Sequence, residues 1–142
     1  MQVQYAVPRS GLPAARSVRR WALAALEQSA QATVRFVGTR EGRALNRQYR
    51  GRDYATNVLT FTYGQHEGAL LGDIVLCAPV VAREAREQRK ALRGHYAHLV
   101  VHGMLHLQGY DHERTREAQH MERREIAVLR ELGFDNPYDP AG

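Results

Sequence analysis

The chain is predicted to fold as a single α+β domain, a four-stranded mixed sheet packed by about five helices. Three observations carry that expectation. Segments of period two and of helical period are interspersed along 142 residues, a length that suits one core. The connections after the first two strands are long enough for parallel pairing, whereas a short turn over 64–68 demands an antiparallel hairpin. No repeat, linker or low-complexity tract divides the sequence, so residues 1–142 are expected to be one domain, with about 136–142 a loose tail.

Residues 3–7 alternate loosely and read as a first strand, stopped by Pro8. Residues 13–30 read as a helix, because Ala14, Val18, Trp21 and Ala25 recur at three or four while Arg16, Arg19 and Arg20 fall mostly off that face. Residues 33–37 alternate and are rich in β-branched and aromatic side chains, which makes a second strand. Thr39 can cap a helix over 40–50 that Gly51 closes. On that helix Leu45 and Tyr49 are expected to face the core, with Asn46 and Arg50 one step round. Residues 57–63 and 69–77 supply the third and fourth strands. Pro79 suits the first residue of a helix running to about Leu92, and Arg83 and Glu87 mark its solvated face. Arg93 and Gly94 are expected to break the chain before a helix over 95–108. A last helix over 115–132 carries Ala118, Met121, Val128, Leu129 and Leu132 in one stripe until Gly133 stops it.

Composition narrows the class. Hydrophobic residues make up 44% and charged ones 25%, as in ordinary globular proteins. Cys77 is the single cysteine and lies in an apolar run, so neither a disulfide nor a thiolate cluster is expected. No signal peptide or membrane-crossing run is visible, and a cytoplasmic location is expected. Net charge is +5 but unevenly spread. Residues 1–53 carry ten arginines against three carboxylates, and residues 54–142 carry ten basic against twelve acidic side chains. A basic first half suits a polyanion such as RNA or DNA. Nineteen of the twenty basic residues are arginine, a bias that a GC-rich genome would also produce.

The densest chemistry lies between His98 and His112, which hold four of the seven histidines in fifteen residues. His102 and His106, four apart, lie on one helical face ~6 Å apart along the axis. Gly109 allows the left-handed turn that ends a helix, so His112 can return to the same point. Three imidazoles on one metal with a coordination position left over describe a catalytic site rather than a structural one. The spacing matches the H-E-x-x-H-x-x-G-x-x-H framework of metzincin proteases with one decisive change. Gly103 stands where those enzymes carry the glutamate that moves the proton, which disfavours peptide hydrolysis. Phosphodiester cleavage asks less of a base there and needs a second cation for the charge developing on phosphorus, a task arginine suits. His98 is expected to stand behind the ligands or on the substrate side. Tyr110 and Asp111 lie in the turn, where a carboxylate could orient an imidazole. His66, His95 and His120 are read as core or surface residues, Asp73 as a strand-end hydrogen-bonding residue in preference to a substrate contact, and Glu125 as the partner of a neighbouring arginine in preference to a place behind a metal-binding histidine.

With those residues in view, the chain resembles the YbeY family of bacterial rRNA-maturation endoribonucleases over nearly its whole length. The carriers are HGMLHLQGYDH at 102–112, LNRQYRGRDYATNVLTF at 45–61 and, more weakly, LGDIV at 71–75. Asn57 and Thr60 stand where the family more often has Asp and Ser, and Asn57 is expected to play a structural part at the strand start. The resemblance implies a zincin-like arrangement and a metal-dependent endoribonuclease specific for single-stranded RNA. It implies action in 16S rRNA 3′-end maturation and ribosome quality control, with the small ribosomal subunit and its proteins as partners. His102, His106 and His112 become ligands of one zinc ion, although nickel or another transition metal also suits three imidazoles, and Arg50 becomes the catalytic, phosphate-binding arginine. Arg35, Arg40, Arg43, Arg47, Arg50 and Arg52 are expected to guide the RNA backbone. Two rival readings are a metallopeptidase on the same framework and a non-enzymatic ribosome-assembly factor stabilised by its metal.

Overall fold

The computed structural model describes residues 1–139. Its strands are β1 (Gln2–Tyr5), β2 (Ala30–Val37), β3 (Val58–His66) and β4 (Ala69–Cys77). Its helices are α1 (Ala15–Ala24), α2 (Thr39–Arg50), α3 (Ala78–Glu87), α4 (Leu92–Leu107) and α5 (Thr115–Glu131). The sheet order is β1-β2-β4-β3. β1, β2 and β4 run parallel and β3 pairs antiparallel with β4, so the sheet is mixed, as expected.

Alternation along the strands sorts side chains between two unequal faces. Val34, Phe36, Ile74 and Leu76 join Val18 and Trp21 of α1, Val100 and Met104 of α4 and Leu129 of α5 in the main core. On the other face Val37, Val75 and Cys77 form a smaller cluster with Leu59, Val80 and the half-buried Leu45 of α2. α4 is buried on most sides, and the half-buried His98, His102 and His106, spaced four apart, form its polar stripe. Among the described residues no helix is long and apolar enough to cross a membrane.

Several boundaries move, each for a tertiary reason. α1 stops at Ala24 rather than continuing to residue 30. The backbone amides of Glu27 and Gln28 are taken by the Gln108 side chain, at 2.7 and 3.3 Å, and β2 starts early enough to pair Ala30 with Leu70. The break between α3 and α4 falls at 88–91, where Arg89 adopts φ 55°, and Arg93 and Gly94 lie inside α4. The hairpin is tighter than 64–68: His66 pairs with Ala69, leaving Glu67 and Gly68 as a two-residue turn with φ of 50° and 82°. Positive φ at both central residues matches the twist of the flanking strands. Gly64 sits instead in a bulge of β3.

α2 is rotated relative to the expected face. Gly42 and Asn46 point inward, and Tyr49 is exposed, its ring edge-on to Phe61 at 4.7 Å between centroids. A β-carbon at Gly42 would come within 3.1 Å of the Cys77 sulfur, so this turn of helix packs where only glycine fits closely. Asn46 is buried because its amide donates to the Tyr54 carbonyl at 2.7 Å, tying α2 to the loop that follows it. Of the expected loose tail, 136–139 contact the body, with Lys90 donating to the Pro137 carbonyl and Tyr138 donating to Glu125. Residues 140–142 lie outside the described residues.

Candidate metal centre

The three histidines singled out by spacing converge. Helical geometry puts His102 and His106 one turn apart on α4, and Gly109, at φ 103°, lets the chain reverse after it. The His112 ring then lies 5.4 Å from that of His102 and 5.7 Å from that of His106, centroid to centroid. Imidazoles bound tetrahedrally through nitrogen, at ~2.0–2.1 Å from an ion, would have centroids ~5 Å apart. The observed spacing fits one ion between the three rings.

Hydrogen bonds at the rear nitrogens support the same direction. His102 donates from Nδ1 to Glu125 Oε2 at 2.7 Å, and His106 donates from Nδ1 to the Tyr110 carbonyl at 3.0 Å. Each bond leaves Nε2 as the lone-pair nitrogen, the tautomer a metal ligand needs. The Tyr110 carbonyl is held by the turn, whose register is set in turn by Gln108 and by the Tyr110 hydroxyl donating to Glu27 at 2.8 Å. Among the described residues Asp111 makes no hydrogen bond to a histidine ring. Its side chain accepts the Glu113 amide at 3.0 Å, which, with other turn contacts, holds its carboxyl below the usual range.

Glu125 takes the less favoured of its two expected roles, standing behind a histidine instead of pairing with an arginine. It is wholly buried on α5 and pairs with histidines rather than an arginine: His102 at 2.7 Å, His98 at 3.2 Å, and the Tyr138 hydroxyl as a third donor. Burial pushes its carboxyl upward, but the hydrogen bonds from His102 and His98 outweigh that and bring it down to about 2. An acidic residue inside an apolar helical stripe was the available signal; its partners, 23 and 27 positions away, were not. His98, His102 and Glu125 also offer ligand atoms within 4.8 Å of one another, a group that could itself hold a divalent ion. The 2.7 Å contact between Glu125 and His102 is a hydrogen-bond length. Ligand atoms around a tetrahedral zinc stand ~3.3 Å apart.

Gly103 acquires a packing explanation. It is buried against the sheet, and a β-carbon there would come within 2.9–3.1 Å of three side-chain atoms of the fully buried Ile74. A glutamate at this position would collide with the sheet.

Arg50 ends α2, exposed, just before Gly51 in the left-handed C-cap. Among the described residues it makes no ion pair, and no hydrogen bond joins it to the histidines. Of the other expected RNA-guiding arginines, Arg35 is held by Glu41 and Arg43 by Asp53, each through paired contacts of 2.8–3.0 Å. Asp73 accepts the Tyr63 hydroxyl at 2.8 Å, in the strand role expected for it. Asn57 also has a structural part. Its amide donates to both oxygens of Glu84 at 3.0 and 3.2 Å, while its own oxygen accepts the Val58 amide. Glu84 takes His95 on its other side at 3.0 Å.

A mixed four-stranded sheet packed by five helices, with three histidine rings of α4 and the following turn clustered together, defines an α+β protein with a candidate metal centre. The family model described as Endoribonuclease YbeY matches residues 14–133, and the chain belongs to that family. It is 62% identical over 130 residues to an Endoribonuclease YbeY of Aromatoleum aromaticum, covering 92% of this chain and 84% of the relative. A relative of the same name from Stenotrophomonas maltophilia is 57% identical, with 96% and 91% covered. One from an Azoarcus species is 60% identical, but the chain spans only 54% of its length. A solution structure from Thermotoga maritima shares the fold at a TM-score of 0.58 and 24% identity, with 97% and 98% of the two chains covered.

Proposed function

We propose that this protein is a metal-dependent endoribonuclease that cuts single-stranded RNA in 16S rRNA 3′-end maturation and ribosome quality control. The small ribosomal subunit and its proteins are the proposed partners, and the cytoplasm the proposed site of action. The carrying observation is the convergence of His102, His106 and His112 in a chain of the YbeY family, with the rear nitrogens of His102 and His106 already engaged.

In this reading His102, His106 and His112 hold one divalent ion, zinc being the proposed metal and nickel an acceptable one. An ion bound there supplies Lewis acidity toward a phosphoryl oxygen. The protein supplies the rest. Glu125 fixes the tautomer and the angle of the His102 ring, and the Tyr110 carbonyl does the same for His106. Arg50 is the proposed partner for the scissile phosphate, since its planar, permanently charged fork suits two phosphate oxygens. A peptidase reading is disfavoured because position 103 is packed against Ile74 and offers no base.

The test is metal content and cleavage of a single-stranded RNA for wild type, Arg50→Ala and His112→Ala. His112→Ala should lose both metal and cleavage. Arg50→Ala should keep the metal and lose about 10²–10³-fold in rate, the usual effect of deleting a transition-state charge donor. Metal retained by His112→Ala, or undiminished cleavage by both variants, would sink the proposal.

A further inference from the structure

We infer that Tyr49 and Tyr63 form an aromatic platform on which bases of the RNA stack beside the arginines at the end of α2. This rests on the RNA reading above and goes beyond it by naming what contacts the bases.

The observation is an exposure that core formation does not explain. Tyr49 is 60% and Tyr63 61% exposed, the two most exposed of the large hydrophobic side chains among the described residues. They come from different elements, and the Tyr49 ring stands 4.7 Å from that of Phe61, two residues before Tyr63 on β3. Phe61 pairs across the sheet with Asp73, and the Tyr63 hydroxyl donates to that same Asp73 at 2.8 Å. Phe61 and Tyr63 therefore share one face of β3, the face turned toward α2. β3 is an edge strand, and α2 packs on this face through Leu45, at the cluster of Val37, Val75 and Cys77, and through Tyr49, at Phe61. The rings are braced from below and open above.

Charge decides the occupant. The last turn of α2 and its C-cap carry Arg47, Arg50 and Arg52, and none of them forms an ion pair among the described residues. The nearby carboxylates are already engaged: Asp53 by both nitrogens of the Arg43 fork, Asp73 by Tyr63. Exposed rings beside free guanidinium groups suit a strand that presents base faces and phosphates together. Single-stranded RNA does, whereas a duplex keeps its bases stacked on each other. The platform thus gives a physical reason for a single-strand preference and places the stacked bases next to the phosphate proposed for Arg50.

The test is equilibrium binding of a short single-stranded RNA carrying 2-aminopurine, compared with the same oligomer annealed into a duplex. Metal-loaded wild type, Tyr49→Ala, Tyr63→Ala and Tyr49→Phe are measured, with thermal melts to check folding. Stacking lost per base corresponds to about 1–3 kcal/mol, so each alanine variant should bind about 5–150-fold more weakly and lose quenching of the base. Tyr49→Phe, which keeps the ring, should restore both. Wild-type affinity and quenching in folded Tyr49→Ala and Tyr63→Ala overturn the platform and leave the RNA reading standing. A wild type that binds no single-stranded RNA overturns both.

Discussion

Glu125→Gln keeps the shape of the side chain between His98 and His102 and removes its charge. His102 donates to Oε2 at 2.7 Å and Tyr138 donates to Oε1, while His98 Nε2 lies 3.2 Å from both Oε2 and the Tyr138 hydroxyl. An amide turned with its oxygen toward the imidazoles still accepts both, and its nitrogen can donate to the Tyr138 hydroxyl oxygen. What disappears is charge assistance, since hydrogen bonds to a charged group contribute about 1.5–3 kcal/mol against about 1 kcal/mol for neutral pairs. The fold should lose about 1–2 kcal/mol on that reckoning. Glu125→Ala should lose about 3–5 kcal/mol, because it leaves buried donors unpaired and opens a void. A less basic, less firmly oriented His102 should weaken metal binding about 10–100-fold. Zinc titration of metal-free protein against a chromogenic chelator reads the affinity, and a denaturant midpoint reads the fold. Unchanged zinc affinity in folded Glu125→Gln refutes the orienting role. A loss as complete as that of His112→Ala makes Glu125 a ligand and overturns the three-histidine assignment.

Three further outcomes follow from the same geometry. Gly103→Ala should lower the denaturant midpoint, because overpacking against Ile74 costs about 1–3 kcal/mol and the gain in helix propensity offsets only about 1 kcal/mol; a more stable variant contradicts the packing explanation. Asn57→Asp should destabilise the protein at neutral pH by setting a second carboxylate against Glu84. Repulsion raises the folded-state pKa of the pair, so the deficit should shrink as pH falls and one carboxyl takes up a proton; a deficit that does not vary with pH counts against this account. Stripping metal with a chelator should lower the melting temperature, by about 2.7 kcal/mol of stability if the ion was present at a hundred times its Kd, and His112→Ala should show no such chelator effect.

Local chemistry was legible in the residue order. The offsets of His102, His106, Gly109 and His112 encode one helical face, a left-handed turn and a return, and the rings converge accordingly. The four strands, their mixed pairing and the five helices follow from periodicity and connection length. The facing of α2 was not legible. Leu45 and Tyr49 formed the more apolar pair, yet the close approach of α2 to Cys77 falls at Gly42, with Asn46 turned inward and Tyr49 out. The end of α1 was equally hidden, because it depends on Gln108, about eighty positions along the chain.

The sequence by itself determined which side chains could meet a metal, because one helix and one turn carry all three and their spacing is a property of local backbone geometry. Gly103 shows the limit of that reading: its chemistry was inferred from a missing glutamate, while its cause is contact with Ile74 across the helix–sheet interface. Only the tertiary structure decided what stands behind these histidines. Glu125 reaches His102 and His98 because α5 packs along α4, and Tyr138 joins them because the chain returns after α5. A buried carboxylate persists where donors satisfy it, and donors from α4 and from the chain after α5 reach it only when those segments pack together.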